Sequence, residues 1–155
     1  IQHALKKQGI EYIIIFVPSK ASIYPEYIGG KYTVQKTLID SVSKFLLENT
    51  TIPIINLKPD LLEAKEKQLV YFKTDTHWNM EGVFLGYNSI CNQLDLLGIT
   101  HSTPIEINRS PAFHVGDLTV MLNNILPPEP YNSIQIVSQN SIKIDSGLYY
   151  DLFNK

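Results

Sequence analysis

Two short runs of branched apolar residues limit what this chain can become. Ile10 to Val17 reads Ile-Glu-Tyr-Ile-Ile-Ile-Phe-Val, and Ile52 to Leu57 reads Ile-Pro-Ile-Ile-Asn-Leu. Near-continuous β-branched runs without polar alternation are the pattern of strands covered on both faces, which belong to parallel sheets flanked by helices. Pro53 is tolerated in such a strand only near its start or at an edge. Between and after these runs the period becomes helical. Val34, Leu38, Val42 and Phe45 follow Thr33, a candidate N-cap, at helical spacing and predict an amphipathic helix to about Glu48. Val83, Tyr87, Ile90, Leu94 and Leu97 repeat the pattern between Asn79, which can cap, and Gly98, which can close. Alternating strands and helices define an α/β class. Tyr87 and Cys91 belong to the packed stripe of that second helix.

The remaining elements are shorter. Ile1 to Gln8 reads as a helix stopped by Gly9, and Leu61 to Gln68 as a short helix whose Glu63, Lys65, Glu66 and Lys67 form a solvated face. Ser19 to Lys31, with two Tyr, a Pro and Gly29-Gly30, reads as a loop on the site side of the sheet. Ile99 to Ala112 reads as an exposed extended segment, and Asp117 as an N-cap for Leu118 to Leu122. Pro127-Pro128-Glu129-Pro130 is polyproline-like, and Ile134 to Val137 with Ile142 to Ile144 suggests a C-terminal β-hairpin. Residues 1–155 therefore read as one domain, with an α/β core over 1–126 and a connector and hairpin over 127–155.

The 155 residues suffice for one hydrophobic core, and 44% hydrophobic with 18% charged residues is a globular composition. A net charge of -2 and a pI of about 6.1 give no electrostatic case for a nucleic-acid partner. No run approaches the roughly eighteen apolar residues of a membrane span. Cys91 is the single cysteine, which excludes an internal disulfide and a CxxC metal site. Ile1 opens within a helical pattern, so the chain reads as a segment of a longer protein.

Chemistry concentrates in Tyr71-Phe72-Lys73-Thr74-Asp75-Thr76-His77-Trp78-Asn79-Met80-Glu81-Gly82. In an extended or loop segment, Asp75 and His77 project to one side while Thr76 points away. An Asp carboxylate that accepts the imidazole Nδ1–H fixes the tautomer and leaves Nε2 free to take a proton from a hydroxyl or a water. Trp78, the single tryptophan, can desolvate the imidazole and stiffen the turn. A plainer reading of the same residues has Asp75 and Thr76 opening a helix and His77 on the surface.

Lys73-Thr74-Asp75-Thr76-His77-Trp78-Asn79 followed by Gly82 resembles the signature of the alginate O-acetylation proteins of the AlgX and AlgJ type and the related DHHW proteins, which are SGNH-hydrolase-like. Phe16-Val17-Pro18-Ser19-Lys20-Ala21-Ser22-Ile23-Tyr24-Pro25-Glu26 and Phe113-His114-Val115-Gly116-Asp117-Leu118-Thr119-Val120-Met121-Leu122 are similar to two further blocks of that family, in the same order. The resemblance implies a three-layer parallel sheet flanked by helices, incomplete in this chain. It also implies a Ser-His-Asp triad of which Asp75 and His77 are two members. The family's serine lies downstream of the third block in a Gly-Xaa-Ser element. Asp145-Ser146-Gly147 is the nearest match here and lacks the preceding Gly, so the nucleophile is expected past residue 155.

The implied activity is an O-acetyltransferase or acetylesterase acting on an exopolysaccharide or cell-surface glycan. It is extracytoplasmic or periplasmic in a bacterium, and a membrane-bound O-acyltransferase partner supplies the acetyl groups. Lys20, Tyr24 and Trp78 are the candidate substrate contacts, Lys20 for an anion or carbonyl and the aromatic rings, with Tyr27 and Tyr71, for stacking on sugars. Against these stand a solvated Lys and packed tyrosines. No cofactor or metal is expected. A metal reading would join Asp75 and His77 with His101, His114 or Asp117, but no HExxH pair is present. A third reading is a non-catalytic carbohydrate-binding component of a polysaccharide secretion or modification complex.

Overall fold

The computed structural model describes residues 2–29, 37–99, 105–123 and 125–137. Thr33, Val34, His101, Ser146 and the Ile142 to Ile144 arm of the expected hairpin lie outside the described residues. The first described segment is helix α1 (Gln2–Lys6), ended by Gly9 in the left-handed region at φ 73°. Strand β1 (Ile14–Phe16) follows and pairs in parallel with β2 (Ile54–Asn56), Ile14 opposite Ile54 and Phe16 opposite Asn56. The parallel pair expected from the two isoleucine runs is therefore present, although each strand is shorter than its run. Two-sided burial is realised unequally: Ile55 is buried, whereas Ile15 and Val17 are exposed.

The crossover between the strands contains more helix than its composition suggested. Lys20–Ile23 forms α2, and Pro25–Tyr27 a single 3-10 turn, where a loop was expected. Pro18 and Pro25 punctuate the segment without preventing a turn of helix between them, and α2 buries Ile23 completely. Helix α3 (Leu38–Asn49) begins at Thr37, whose N–H and hydroxyl both donate to the Asp40 carboxylate. The same carboxylate accepts from Lys58 Nζ at 2.7 Å, and chiefly this ammonium holds its pKa at about 2. The expected apolar face of α3 is only partly used, since Leu38 and Phe45 are exposed.

Helix α4 (Lys58–Lys65) and the long α5 (Met80–Leu96) pack on each other and complete the core. Ile55, Leu57, Leu61, Val70 and Tyr71 are buried there with Ile23 and Tyr24, and Leu85, Ile90 and Leu94 of α5 lie against them. Leu61 is 0% exposed and Leu57 1%.

After α5 the chain becomes a long antiparallel ribbon, β3 (Ile107–His114) with β4 (Glu129–Ile136), in register from Ile107 opposite Ile136 to His114 opposite Glu129. Helix α6 (Asp117–Met121) lies between them. Ile134 to Ile136 is thus a strand, as expected, but its partner is β3. Pro130 and Pro111 both sit inside the ribbon, which a two-stranded ribbon permits because, among the described residues, each strand has an unpaired edge. Glu129 and Pro130 accordingly open β4 instead of belonging to a connector. None of the described helices is long and apolar enough to cross a membrane.

Candidate active site

The central motif is a loop pinned at its base to the core. Val70 is fully buried, and its carbonyl accepts from Asn79 N–H at 3.1 Å. Tyr71 pairs with Trp78 in an isolated antiparallel bridge, and Phe72 N–H reaches His77 O at 3.3 Å. The Leu69 to Phe72 run is therefore one leg of a hairpin-like excursion and not a sheet strand. Asn79 caps α5 as expected, its Oδ1 accepting from Gly82 N–H at 2.9 Å, while its Nδ2 donates to Leu69 O at 2.7 Å. Gly82 is required here, because any Cβ at that position would overlap the Val70 carbonyl. The stiff helix begins where the loop ends.

Three charged side chains from three other elements hold the loop from outside. Lys20 of α2 donates through Nζ to the carbonyls of Lys73 (2.8 Å) and Asp75 (2.9 Å). Glu129 of β4 accepts from the N–H groups of Lys73 and Thr74, both at 2.8 Å, and from Thr74 Oγ1 at 2.6 Å. Asp117, first residue of α6, accepts from Thr76 N–H at 2.9 Å and from the Thr76 hydroxyl. Asp117 is not the cap expected of it: Gly116 occupies that position, packed so closely on the Thr74 carbonyl that a side chain there would collide with it. Burial lowers the Lys20 pKa, against the pull of Glu129, Asp75 and Asp117.

Inside this frame Asp75 is only 5% exposed, and its carboxylate receives four N–H groups. Oδ1 accepts from the ring Nδ1 (2.6 Å) and the backbone N–H (2.9 Å) of His77. Oδ2 accepts from His114 Nε2 (2.7 Å) and Asp117 N–H (3.2 Å). Burial acts to raise the Asp75 pKa, but the donors from His77, His114 and Asp117 outweigh it and hold the carboxyl well below the usual range. An ionised carboxylate only accepts, so both ring nitrogens facing it carry hydrogen. His77 is thereby fixed with Nδ1–H toward Asp75 and Nε2 available. Its hydrogen bond to Asp75, that residue's charge and the charge of Asp117 raise its pKa.

His77 itself is 74% exposed and lines a cleft of about 360 Å³ with Pro18, Lys20, Tyr71 and Trp78. A neighbouring cavity of about 390 Å³ shares Lys20 and Tyr71 with it and adds Tyr24, Tyr27, Phe72 and Lys73. Tyr71 donates its hydroxyl to Pro18 O, which keeps its ring as a wall between core and cleft.

The structure thus brings Asp75, His77, Lys20 and Trp78 together. Lys20 acts on the loop backbone while facing the cleft. Trp78 packs against α5 at Gly86. Tyr24 is a core residue, 7% exposed, whose hydroxyl accepts from Val70 N–H at 3.1 Å. Asp75, His77 and Asp117 offer three potential metal ligands within 4.8 Å of one another, but the Asp75 oxygens already point at N–H groups at hydrogen-bond distance. Glu129 and the pairing of His114 with Asp75 were not found in the sequence. Their partners lie 55 and 39 residues away, beyond any local pattern.

An α/β scaffold with an Asp–His couple on the loop before a long helix is an SGNH-hydrolase-like arrangement. A model of the ALGX family, described as the SGNH hydrolase-like domain of acetyltransferase AlgX, matches residues 1–154, and the chain belongs to that family. It is 34% identical over 86 residues to the probable alginate O-acetylase AlgJ of Pseudomonas aeruginosa, covering 53% of this chain and 21% of that protein. It is 30% identical over 147 residues to the probable alginate O-acetylase AlgJ of Pseudomonas syringae pv. tomato, covering 82% and 35%. The O-acetyltransferase domain of Pseudomonas putida AlgJ shares the fold, with a TM-score of 0.69 over 89% of this chain and 54% of that one at 22% identity. The chain spans well under half the length of these two relatives.

Proposed function

We propose that this chain carries the Asp–His part of a Ser-His-Asp triad in an O-acetyltransferase or acetylesterase acting on an exopolysaccharide or cell-surface glycan. The observation that carries this reading is the 2.6 Å approach of His77 Nδ1 to Asp75 Oδ1, with the rest of the His77 ring open to a cleft. His77 Nε2 takes the proton of a serine hydroxyl supplied by sequence outside this segment as that oxygen attacks the acetyl carbonyl. Asp75, charged throughout, stabilises the imidazolium that forms. His77 then returns the proton to the leaving group, and in the second half-reaction activates the acceptor, a sugar hydroxyl for transfer or water for hydrolysis. On the family resemblance the protein works outside the bacterial cytoplasm and receives acetyl groups by way of a membrane-bound O-acyltransferase. The exposed Tyr27 and the aromatic walls of the neighbouring cavity suit the faces of sugar rings.

The test is esterase turnover of a small acetyl ester by the full-length protein. His77→Ala should depress kcat by about three to four orders of magnitude while the protein still folds and unfolds cooperatively. Normal turnover by that variant would remove the acid-base role, and a binding-only component would show no turnover in either protein.

A further inference from the structure

Resting on that reading and deepening it, the geometry points to His114 as a positioning residue that sets the charge on Asp75 and, through it, the basicity of His77. The carboxylate lies between two histidines, His77 on Oδ1 and His114 on Oδ2, at 2.6 and 2.7 Å. Their exposures differ: 74% of the His77 side chain is open and 29% of His114. His77 faces the cleft, whereas His114 is built into the scaffold. Its ring stacks on Phe72 with centroids 3.9 Å apart and planes 24° from parallel, and Tyr131 stands edge-on to both rings. The ring orientation is therefore set by packing before the hydrogen bond is made.

The element that presents His114 also holds the loop. His114 is the last residue of β3 and lies opposite Glu129, whose carboxylate carries the Lys73 and Thr74 N–H groups. One end of the ribbon thus delivers a donor to Asp75 and an acceptor to the backbone just before it. The charged groups facing this cluster are Asp75 and Asp117 at His77, Asp75 and Glu129 at His114, and Lys20 from the carbonyl side of the loop.

The chemical consequence has a definite sign. A charge-assisted donor on Oδ2 draws electron density from the carboxylate and weakens the pull of Oδ1 on the His77 Nδ1 hydrogen. His114 limits how far Asp75 raises the His77 pKa, so more of His77 is neutral and able to accept a proton near neutrality. It also fixes the plane of the carboxylate. Without it Oδ2 retains only the longer bond from Asp117 N–H.

Two variants of the full-length protein test this, His114→Leu and His114→Gln. The Gln amide nitrogen stands where Nε2 stood and donates without a titratable proton. In His114→Leu, kcat on a small acetyl ester should fall by about tenfold to a hundredfold with little change in KM. The acid limb of its kcat/KM profile should move to higher pH. His114→Gln should recover most of kcat and return the limb toward its original position. A His114→Leu profile that loses amplitude with no movement of the limb, or a folded His114→Gln no better than Leu, would overturn the proposal. Nitrogen-15 spectra of the wild-type imidazoles supply a readout that needs neither folding of a variant nor turnover: Nε2 of His114 must carry hydrogen, and finding it bare overturns the assignment. Failure of the parent reading looks different, since it appears as undiminished turnover in His77→Ala whatever His114 does.

Discussion

Among the described residues, the buried members of the apolar cluster run from Ile23 to Tyr71, whereas β3, α6 and β4 contribute none. The same ribbon and helix supply His114, Asp117 and Glu129, three of the side chains that define the electrostatics of the motif loop. The two regions therefore do different work. The α/β half holds the fold by excluding water from Ile55, Leu57 and Leu61, and the ribbon holds the loop by directed hydrogen bonds to its backbone and to the buried Asp75 carboxylate. Stability draws mainly on the first region and site geometry mainly on the second, so substitutions in the two regions should weigh differently on unfolding and on turnover.

The largest effect on stability belongs to the first region. Leu61→Ala removes a fully buried side chain of α4 from the core cluster and should cost about 2–5 kcal/mol in urea unfolding. Phe113→Ala, in a ribbon position 76% exposed, should stay within about 0.5 kcal/mol. Similar losses at the two positions would break the division.

Next in size is the response to pH, where the two members of the couple act with opposite sign. His77 has a raised pKa, so its pairing with Asp75 stabilises the fold fully below about pH 6.5, the ordinary histidine value, and this is lost as pH rises through the raised folded value. Activity gains over the same window, because only neutral His77 accepts a proton. Log kcat/KM should rise with slope 1 to a break above about pH 6.5. Asp75 contributes stability above about pH 3.9, lost only as pH falls through its depressed folded value, so no break from its protonation should appear between pH 4 and 6. A profile that breaks below the ordinary histidine value would contradict the coupling of His77 to Asp75.

The legibility of the chain follows the same division. Local period and local chemistry marked β1, β2, a helix near α4 that in fact starts at Lys58, α5, the Asn79 cap and the facing of Asp75 toward His77, because each is decided within a few residues. Of the stripe expected on α5, however, Val83, Tyr87 and Leu97 are exposed. The turn of helix at Lys20–Ile23 was obscured by flanking prolines and tyrosines, although its burial of Ile23 is what brings Lys20 under the loop. The pairing of β4 with β3 could not be read, since Pro127 to Pro130 looks like an extended connector unless the partner strand is known. Asp117 had the form of a cap. Its actual partners, Thr76 N–H and hydroxyl, lie 41 residues back on a segment that only tertiary packing brings near.

A mid-sized effect sharpens the ribbon's role. Glu129→Ala leaves two loop N–H groups and the Thr74 hydroxyl without their acceptor, and should destabilise by about 1–3 kcal/mol. Since the loop carries Asp75, kcat should fall by about tenfold with KM nearly constant. Glu129→Gln, which keeps one acceptor oxygen, should lie between. If Glu129→Ala lowered stability alone, the ribbon would be a brace for the fold and not for the couple.

The smallest effect is expected at the ion pair between the ribbon and α5. Arg109 Nε and Nη2 reach the Glu81 carboxylate at 2.7 and 3.0 Å, in the bidentate geometry that favours arginine, and the guanidinium also lies over Phe84. Because Arg109 is 46% exposed, solvent screens the pair. Arg109→Ala should therefore cost about 0.2–1 kcal/mol, decline further at high salt, and leave kcat within about twofold. Glu81 sits in the first turn of α5, where its charge is already favourable to the helix, so the loss of its partner does not unseat the Asn79 cap. A large drop in kcat from this variant would mean that the ribbon's docking angle on α5 controls where His114 and Glu129 stand, and the directed bonds at the ribbon's end would then be too weak to hold the loop alone.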